Sequence, residues 1–299
     1  MRRLVVAVLA LLGVLPLPSL AVAQEPEAVP LWPGRAPGAN GDDDRDVPRL
    51  LRFPPPAGRP DGEALRPAIV VCPGGGYGHL AMGHEGRDIA AWLHRSGIEP
   101  LVLDYRHRGK GYGHPWPLRD AQRALRLARQ RAADWRIDPK RIGVLGFSAG
   151  GHLAASASVH HDPGEPTNAD LVERQSCRPD FAVLCYPVIA FGQEFSHRGS
   201  QQNLLGRDAA AELVARMSVE RQVDETTPPT FLWHTSADRG VSAENSLVYY
   251  RALLRHQVPC ELHVFEAGRH GIGLGGELPA AAWATLCRRW LRARGVLAD

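Results

Sequence analysis

The chain has 299 residues, of which 44% are hydrophobic and 22% charged, with a formal net charge of +3. That apolar content excludes a disordered chain, and 31 Gly and 25 Pro without a triplet period exclude a collagen-like one. Arg2 and Arg3 supply two of the three excess positive charges, so the rest is near neutral and carries no nucleic-acid footprint.

Met1-Arg2-Arg3, the apolar run Leu4 to Leu17 and the small residues Ala21 and Ala23 form the pattern of a cleaved secretory signal over residues 1–23. The run is too short for a membrane span, which needs about 20 apolar residues, and Pro16 and Pro18 interrupt its end. The mature protein is therefore expected to be exported, periplasmic or secreted, with no membrane span. Residues 24–48, rich in Pro, Gly and Asp, read as an extended N-terminal arm rather than a packed element. Residues 49–299 read as one domain.

Short apolar runs then alternate with helical periods. Strands are expected at Ala68–Cys72, Glu99–Tyr105, Ile142–Phe147, Phe181–Tyr186, Thr230–His234 and Glu261–Phe265. Helices are expected at Asp88–Arg95, Leu118–Trp135, Gly150–Val159, Ala243–Arg255 and Pro279–Leu291. Continuous apolar strands separated by helices predict an α/β fold, a mostly parallel sheet covered on both faces. Residues 190–228 break the rhythm, with a short helix expected near Ala209–Met217. An excursion of that length reads as a lid or a substrate-facing insert. The five cysteines match no zinc or dense disulfide pattern, and none is placed as a nucleophile.

The chemistry centres on Gly146-Phe147-Ser148-Ala149-Gly150, a G-x-S-x-G between a strand and a helix. A sharp turn there exposes the serine hydroxyl, and its crowding demands very small residues two positions either side. Serine needs a base, and His270, in a loop after the last strand, is the best placed of 13 histidines. The acid must orient that imidazole. Asp238 follows the strand Thr230–His234 at the same sheet edge, whereas Asp224 and Asp180 precede strands and Glu244 opens a helix. Gly74-Gly75-Gly76, after the first central strand, is expected to supply an oxyanion hole through the amides of Gly75 and Gly76, with that of Ala149. Pro73 stands where the lipase-type motif has His. Neither a phosphate loop nor a dinucleotide fingerprint fits this run.

Four blocks, PGGGYGHLAMGHEG, GFSAGGHLAASA, HTSADRGVSAENS and AGRHGIGL, resemble the α/β-hydrolases, in particular exported bacterial xylan esterases similar to acetylxylan and feruloyl esterases. Leu31-Trp32-Pro33-Gly34 and Tyr105-Arg106-His107-Arg108 extend the resemblance over about Leu31 to Leu291. It implies the α/β-hydrolase fold, the triad Ser148, Asp238 and His270, and hydrolysis of acetyl or feruloyl esters on a plant polysaccharide such as xylan. No metal or cofactor is implied. Within Asp238-Arg239-Gly240-Val241-Ser242, the resemblance leads one to expect Pro in place of Ser242 and a hydrophobic residue near Gly240, a departure that threatens to loosen the acid's loop. Tyr77, His79, His84, Glu85, Trp116 and Pro187 are candidate substrate contacts, each with packing or capping as the rival role. No carboxylate pair stands out for glycosidic cleavage. A small-peptide serine peptidase, a general short-chain carboxylesterase and a non-catalytic binding module of the same fold remain alternatives.

Overall fold

In the computed structural model, which describes residues 25–54 and 64–298, the chain builds one eight-stranded sheet. The strands are β1 (Glu27–Pro30), β2 (Arg49–Arg52), β3 (Arg66–Cys72), β4 (Glu99–Asp104), β5 (Ile137–Phe147), β6 (Ala182–Cys185), β7 (Thr230–Thr235) and β8 (Cys260–Phe265). The helices are α1 (Asp88–Arg95), α2 (Trp116–Gln130), α3 (Ser148–Val159), α4 (Arg198–Leu205), α5 (Ala211–Arg216), α6 (Glu244–Arg255) and α7 (Trp283–Ala293). The proposed signal at residues 1–23 lies outside the described residues. Among those described, no helix is long and apolar enough to cross a membrane.

Strand order is β1-β2-β4-β3-β5-β6-β7-β8, with β3 to β8 parallel and β1 and β2 antiparallel at one edge. Alternation along β3 explains the two cores. Ala68, Val70 and Cys72 face a layer built with α2, α3 and α6, while Ile69 and Val71 face the layer of α1 and α7. The chain runs from β3 outward to β4, then returns through β5 to build the opposite half of the sheet. That reversal of direction puts the crevice between the carboxyl ends of β3 and β5, the place where open α/β sheets bind ligands.

The expected arm is corrected by the structure. Residues 27–30 form the edge strand β1, and Leu31 and Ala36 are buried. An edge strand faces water along one side and tolerates Pro30, so it shows no apolar run. Strand β2 (RLLR) is only four residues long and was equally silent. Helix α2 stops at Gln130, five residues before the expected end, because residues 131–136 form turns that bring the chain back to β5. All five cysteines are free thiols, four of them buried. Burial pushes the Cys177 thiol up to about 11, which keeps it protonated and unreactive at neutral pH.

Candidate active site

The turn from β5 into α3 is tight. Ser148 sits at φ +54°, a left-handed conformation unusual for a side-chain-bearing residue. A Cβ on Gly146 would lie 2.0 Å from the Gly150 carbonyl oxygen, and one on Gly150 would lie 2.1 Å from that of Cys72. Only glycine at both positions lets the elbow close against β3.

Ser148, Asp238 and His270, which follow the ends of β5, β7 and β8, meet. Ser148 Oγ lies 2.7 Å from His270 Nε2, and His270 Nδ1 lies 2.7 Å from Asp238 Oδ2. The carboxylate fixes the tautomer: Nδ1–H donates to Asp238, leaving Nε2 to accept from the serine hydroxyl. The other oxygen of Asp238 accepts from the amides of Gly240 (2.8 Å) and Val241 (2.9 Å). His234, at the end of β7, places Nε2 2.9 Å from the Val241 carbonyl and 3.4 Å from Asp238 Oδ2. Burial alone would raise the Asp238 carboxyl. The hydrogen bonds from His234, His270 and the Val241 amide outweigh it and hold the group well below the ordinary carboxylate range.

The expected loosening of this loop is not seen. Gly240 stands against His270: a Cβ there would come within 2.9 Å of His270 Cβ, so a hydrophobic residue does not fit. Ser242 keeps the chain tied to α6, its carbonyl accepting from the Asn245 amide and from Asn245 Nδ2, both at 3.0 Å.

The loop after β3 faces the serine. Gly75 and Gly76 take φ +128° and +63°. The amides of Gly75, Gly76 and Ala149 donate to no protein acceptor among the described residues. Beneath them lies Glu85, 2% exposed. Its Oε2 accepts from the Gly74 amide and its Oε1 from the Tyr186 hydroxyl, both at 2.8 Å. That hydroxyl accepts in turn from the Gly273 amide at 2.9 Å, and the Tyr186 ring stands edge-on to His270 at 5.1 Å. One buried carboxylate thus joins the glycine loop to the loop that carries His270.

These groups open into a cleft of about 690 Å³. Of the expected contacts, His79, His84 and Glu85 line it, and the hydrogen bond to Glu85 raises the His84 imidazole pKa. Three do not line it. Tyr77 is buried with its hydroxyl 2.8 Å from His152 Nδ1, because its backbone turns the ring into the core. Pro187 is buried against Gly151. Trp116 packs where Gly38 leaves room, with the Arg106 and Arg119 guanidinium groups 5.0 and 5.4 Å from its ring. His197, Arg269, Ile272 and Leu278 line the cleft and were missed. Arg269 and Ile272 flank His270 in sequence, a usable signal. His197 reaches the cleft from the insert, which no local pattern shows.

The geometry has counterparts. A solved structure, the acetyl ester-xyloside bifunctional hydrolase of Caldicellulosiruptor lactoaceticus, superposes with a TM-score of 0.85 at 45% identity, covering 93% of this chain and 100% of that one. The carboxylesterase Cest-2923 of Lactobacillus plantarum superposes with a TM-score of 0.73 at 27% identity, covering 92% of this chain and 100% of that one. The fold is that of an α/β-hydrolase. By sequence, the chain is 34% identical over 214 residues to an acetylxylan esterase of Xylanibacter ruminicola, 70% of this chain and 41% of that protein. It is 35% identical over 224 residues to endo-1,4-beta-xylanase B of Butyrivibrio fibrisolvens, 74% of this chain and 35% of that protein. The chain thus spans less than half the length of these curated relatives. The BD-FAE family model matches residues 59–253, and the chain belongs to that family.

Proposed function

We propose that the protein is a serine esterase that removes acyl groups, acetyl foremost, from plant polysaccharide such as xylan. The observation that carries this is the unbroken line Asp238–His270–Ser148 beside three free amides in one open cleft. His270 takes the serine proton as Ser148 attacks the ester carbonyl. Asp238, held ionised, stabilises the imidazolium that forms. The amides of Gly75, Gly76 and Ala149 receive the oxyanion, each such donor typically worth about 3–4 kcal/mol in rate. His270 then protonates the leaving alcohol, and water, activated by the same base, releases the acid from the acyl-enzyme.

The names of the relatives support acetylated xylan as substrate. The choice of an ester over a glycosidic bond rests on the cleft itself. Glu85 is the one carboxylate lining it among the described residues, and both its oxygens are engaged, so no acid/base pair faces a glycosidic oxygen. Feruloyl esters are the finer alternative. The segment at residues 1–23 would export the enzyme to where such polymers are found.

Acetate release from acetylated xylan, ferulate release from methyl ferulate and turnover of p-nitrophenyl acetate, each against Ser148→Ala, test the reading. Purified wild type no faster than Ser148→Ala on all three would refute it. N-terminal sequencing of the exported protein should find Gln24 first.

A further inference from the structure

The insert between β6 and β7 contains His197-Arg198-Gly199-Ser200-Gln201-Gln202, a stretch that the reaction above does not use. His197 opens α4, and its Nδ1 is fully engaged. It accepts from the Ser200 amide at 3.2 Å and lies 2.7 Å from Ser200 Oγ. A ring nitrogen that accepts a helix-capping amide carries no proton, so in the neutral imidazole the proton is on Nε2. Burial first, and the neighbouring His270 second, lower the His197 pKa and favour that neutral form. Nε2 has no protein partner among the described residues, and the side chain lines the cleft with Ser148, Gly76 and His270.

The position is fixed. Asn203 Nδ2, six residues further along α4, donates to the Gly76 carbonyl at 2.8 Å. His197 Cε1 and Ser200 Oγ both lie 4.0 Å from where a Gly76 Cβ would be. The imidazole therefore stands over the glycine loop, in the cleft that Ser148 and His270 also line. In an acetyl ester the carbonyl oxygen goes to the amides of Gly75, Gly76 and Ala149, so the oxygens left for a donor in this cleft belong to the alcohol portion.

We infer that His197 is a specificity residue whose Nε2–H donates to an oxygen of the alcohol moiety, so that the site prefers esters of polyhydroxylated alcohols such as sugars over simple aryl or alkyl esters. A hydroxyl bound this way gives a hydrogen bond that p-nitrophenyl acetate cannot match. This rests on the esterase reading and adds the recognition of the leaving group to it.

The test separates the two. His197→Asn keeps an acceptor for the Ser200 amide, and with it the helix cap, but removes the distal N–H. Measured on acetylated xylo-oligosaccharides and on p-nitrophenyl acetate, it should lower kcat/KM for the sugar ester about tenfold, as loss of one neutral hydrogen bond would. The p-nitrophenyl ester should stay within about twofold of wild type. Equal losses on both substrates, or no loss on either, would overturn the inference while leaving the esterase intact. Wild type inactive on both esters would remove the esterase reading and this inference with it.

Discussion

The parallel strands β3 to β8 and the antiparallel edge of β1 and β2 share backbone ladders and differ in what else holds them. In the parallel half, backbone ladders and apolar side chains fix the strands, and Ser148, Asp238 and His270 follow the carboxyl ends of β5, β7 and β8. At the edge, ladders join β1 to β2 and β2 to β4, and buried polar side chains secure the segment between β1 and β2. Arg106 pairs with Asp120 at 2.6 Å, both side chains fully buried, and donates to the Pro37 carbonyl at 2.7 Å. The same guanidinium lies 5.6, 5.2 and 5.0 Å from the rings of Trp32, Tyr112 and Trp116. Arg123 Nε donates to the Leu31 carbonyl at 2.8 Å. The two sequence blocks around Trp32 and Arg106, far apart in the chain, are two halves of one clasp. The lesson is a division of labour: damage at the strand ends should remove chemistry and spare the fold, and damage at the clasp should do the reverse.

The sharpest way to break that division is Ser148→Ala. It should lower kcat for p-nitrophenyl acetate by roughly a hundred-thousandfold, with a melting temperature at or above that of wild type. A large loss of stability would show that the elbow also holds the sheet. Asp238→Asn should lower kcat on the order of ten-thousandfold, since an amide no longer fixes the His270 tautomer. Urea unfolding should report a much smaller change.

Arg106→Met tests the other side. Removing one partner of a buried pair should destabilise the protein by about 3–5 kcal/mol in urea unfolding. Activity per folded molecule should stay within a few-fold; its disappearance would mean that the edge does shape the cleft.

A pH series sharpens the comparison further. His152 is fully buried behind the elbow between the Tyr77 hydroxyl and the Met217 carbonyl, and burial lowers its pKa from 6.5 to about 4. The unfolded chain binds a proton near 6.5 and the folded one only near 4. Its contribution is therefore complete above about 6.5 and falls as the pH drops towards 4, by roughly 3 kcal/mol at about 1.4 kcal/mol per unit. Unfolding free energies across that window should show the slope, and His152→Gln should flatten it. The smallest effect belongs to Gly240→Ala. Its Cβ would crowd His270 at 2.9 Å, so kcat should fall about tenfold with the melting temperature nearly unchanged.

Much of this was legible before any coordinates. The six parallel strands are legible to within five residues at their ends: the central parts of β3 to β7 are buried and so are written as apolar runs, whereas β8, at the far edge of the sheet, is only partly buried. Ser148, Asp238 and His270 were found by their place after strand ends, and the structure sets them within hydrogen-bonding distance of one another. Glu85 was noticed only as a cleft residue. Its link from Gly74 through Tyr186 to Gly273 joins four distant positions and leaves no local trace. Tyr77, Pro187 and Trp116 were misplaced because an aromatic or proline beside a functional loop looks the same whether it turns outward or inward.

By itself, the sequence determined what repeats locally: the apolar period of the buried strands, the small residues that a tight elbow demands, and the chain order of Ser148, Asp238 and His270. Only the tertiary structure decided what depends on separate segments meeting. That includes the segment between the edge strands, pinned by Arg106, the glycine that Asp238's loop needs where it touches His270, and the insert that carries His197 to the cleft. The reason is physical: periodicity and sterics act between neighbours in the chain, whereas hydrogen bonds and ion pairs between distant residues exist only once the sheet has brought their partners together.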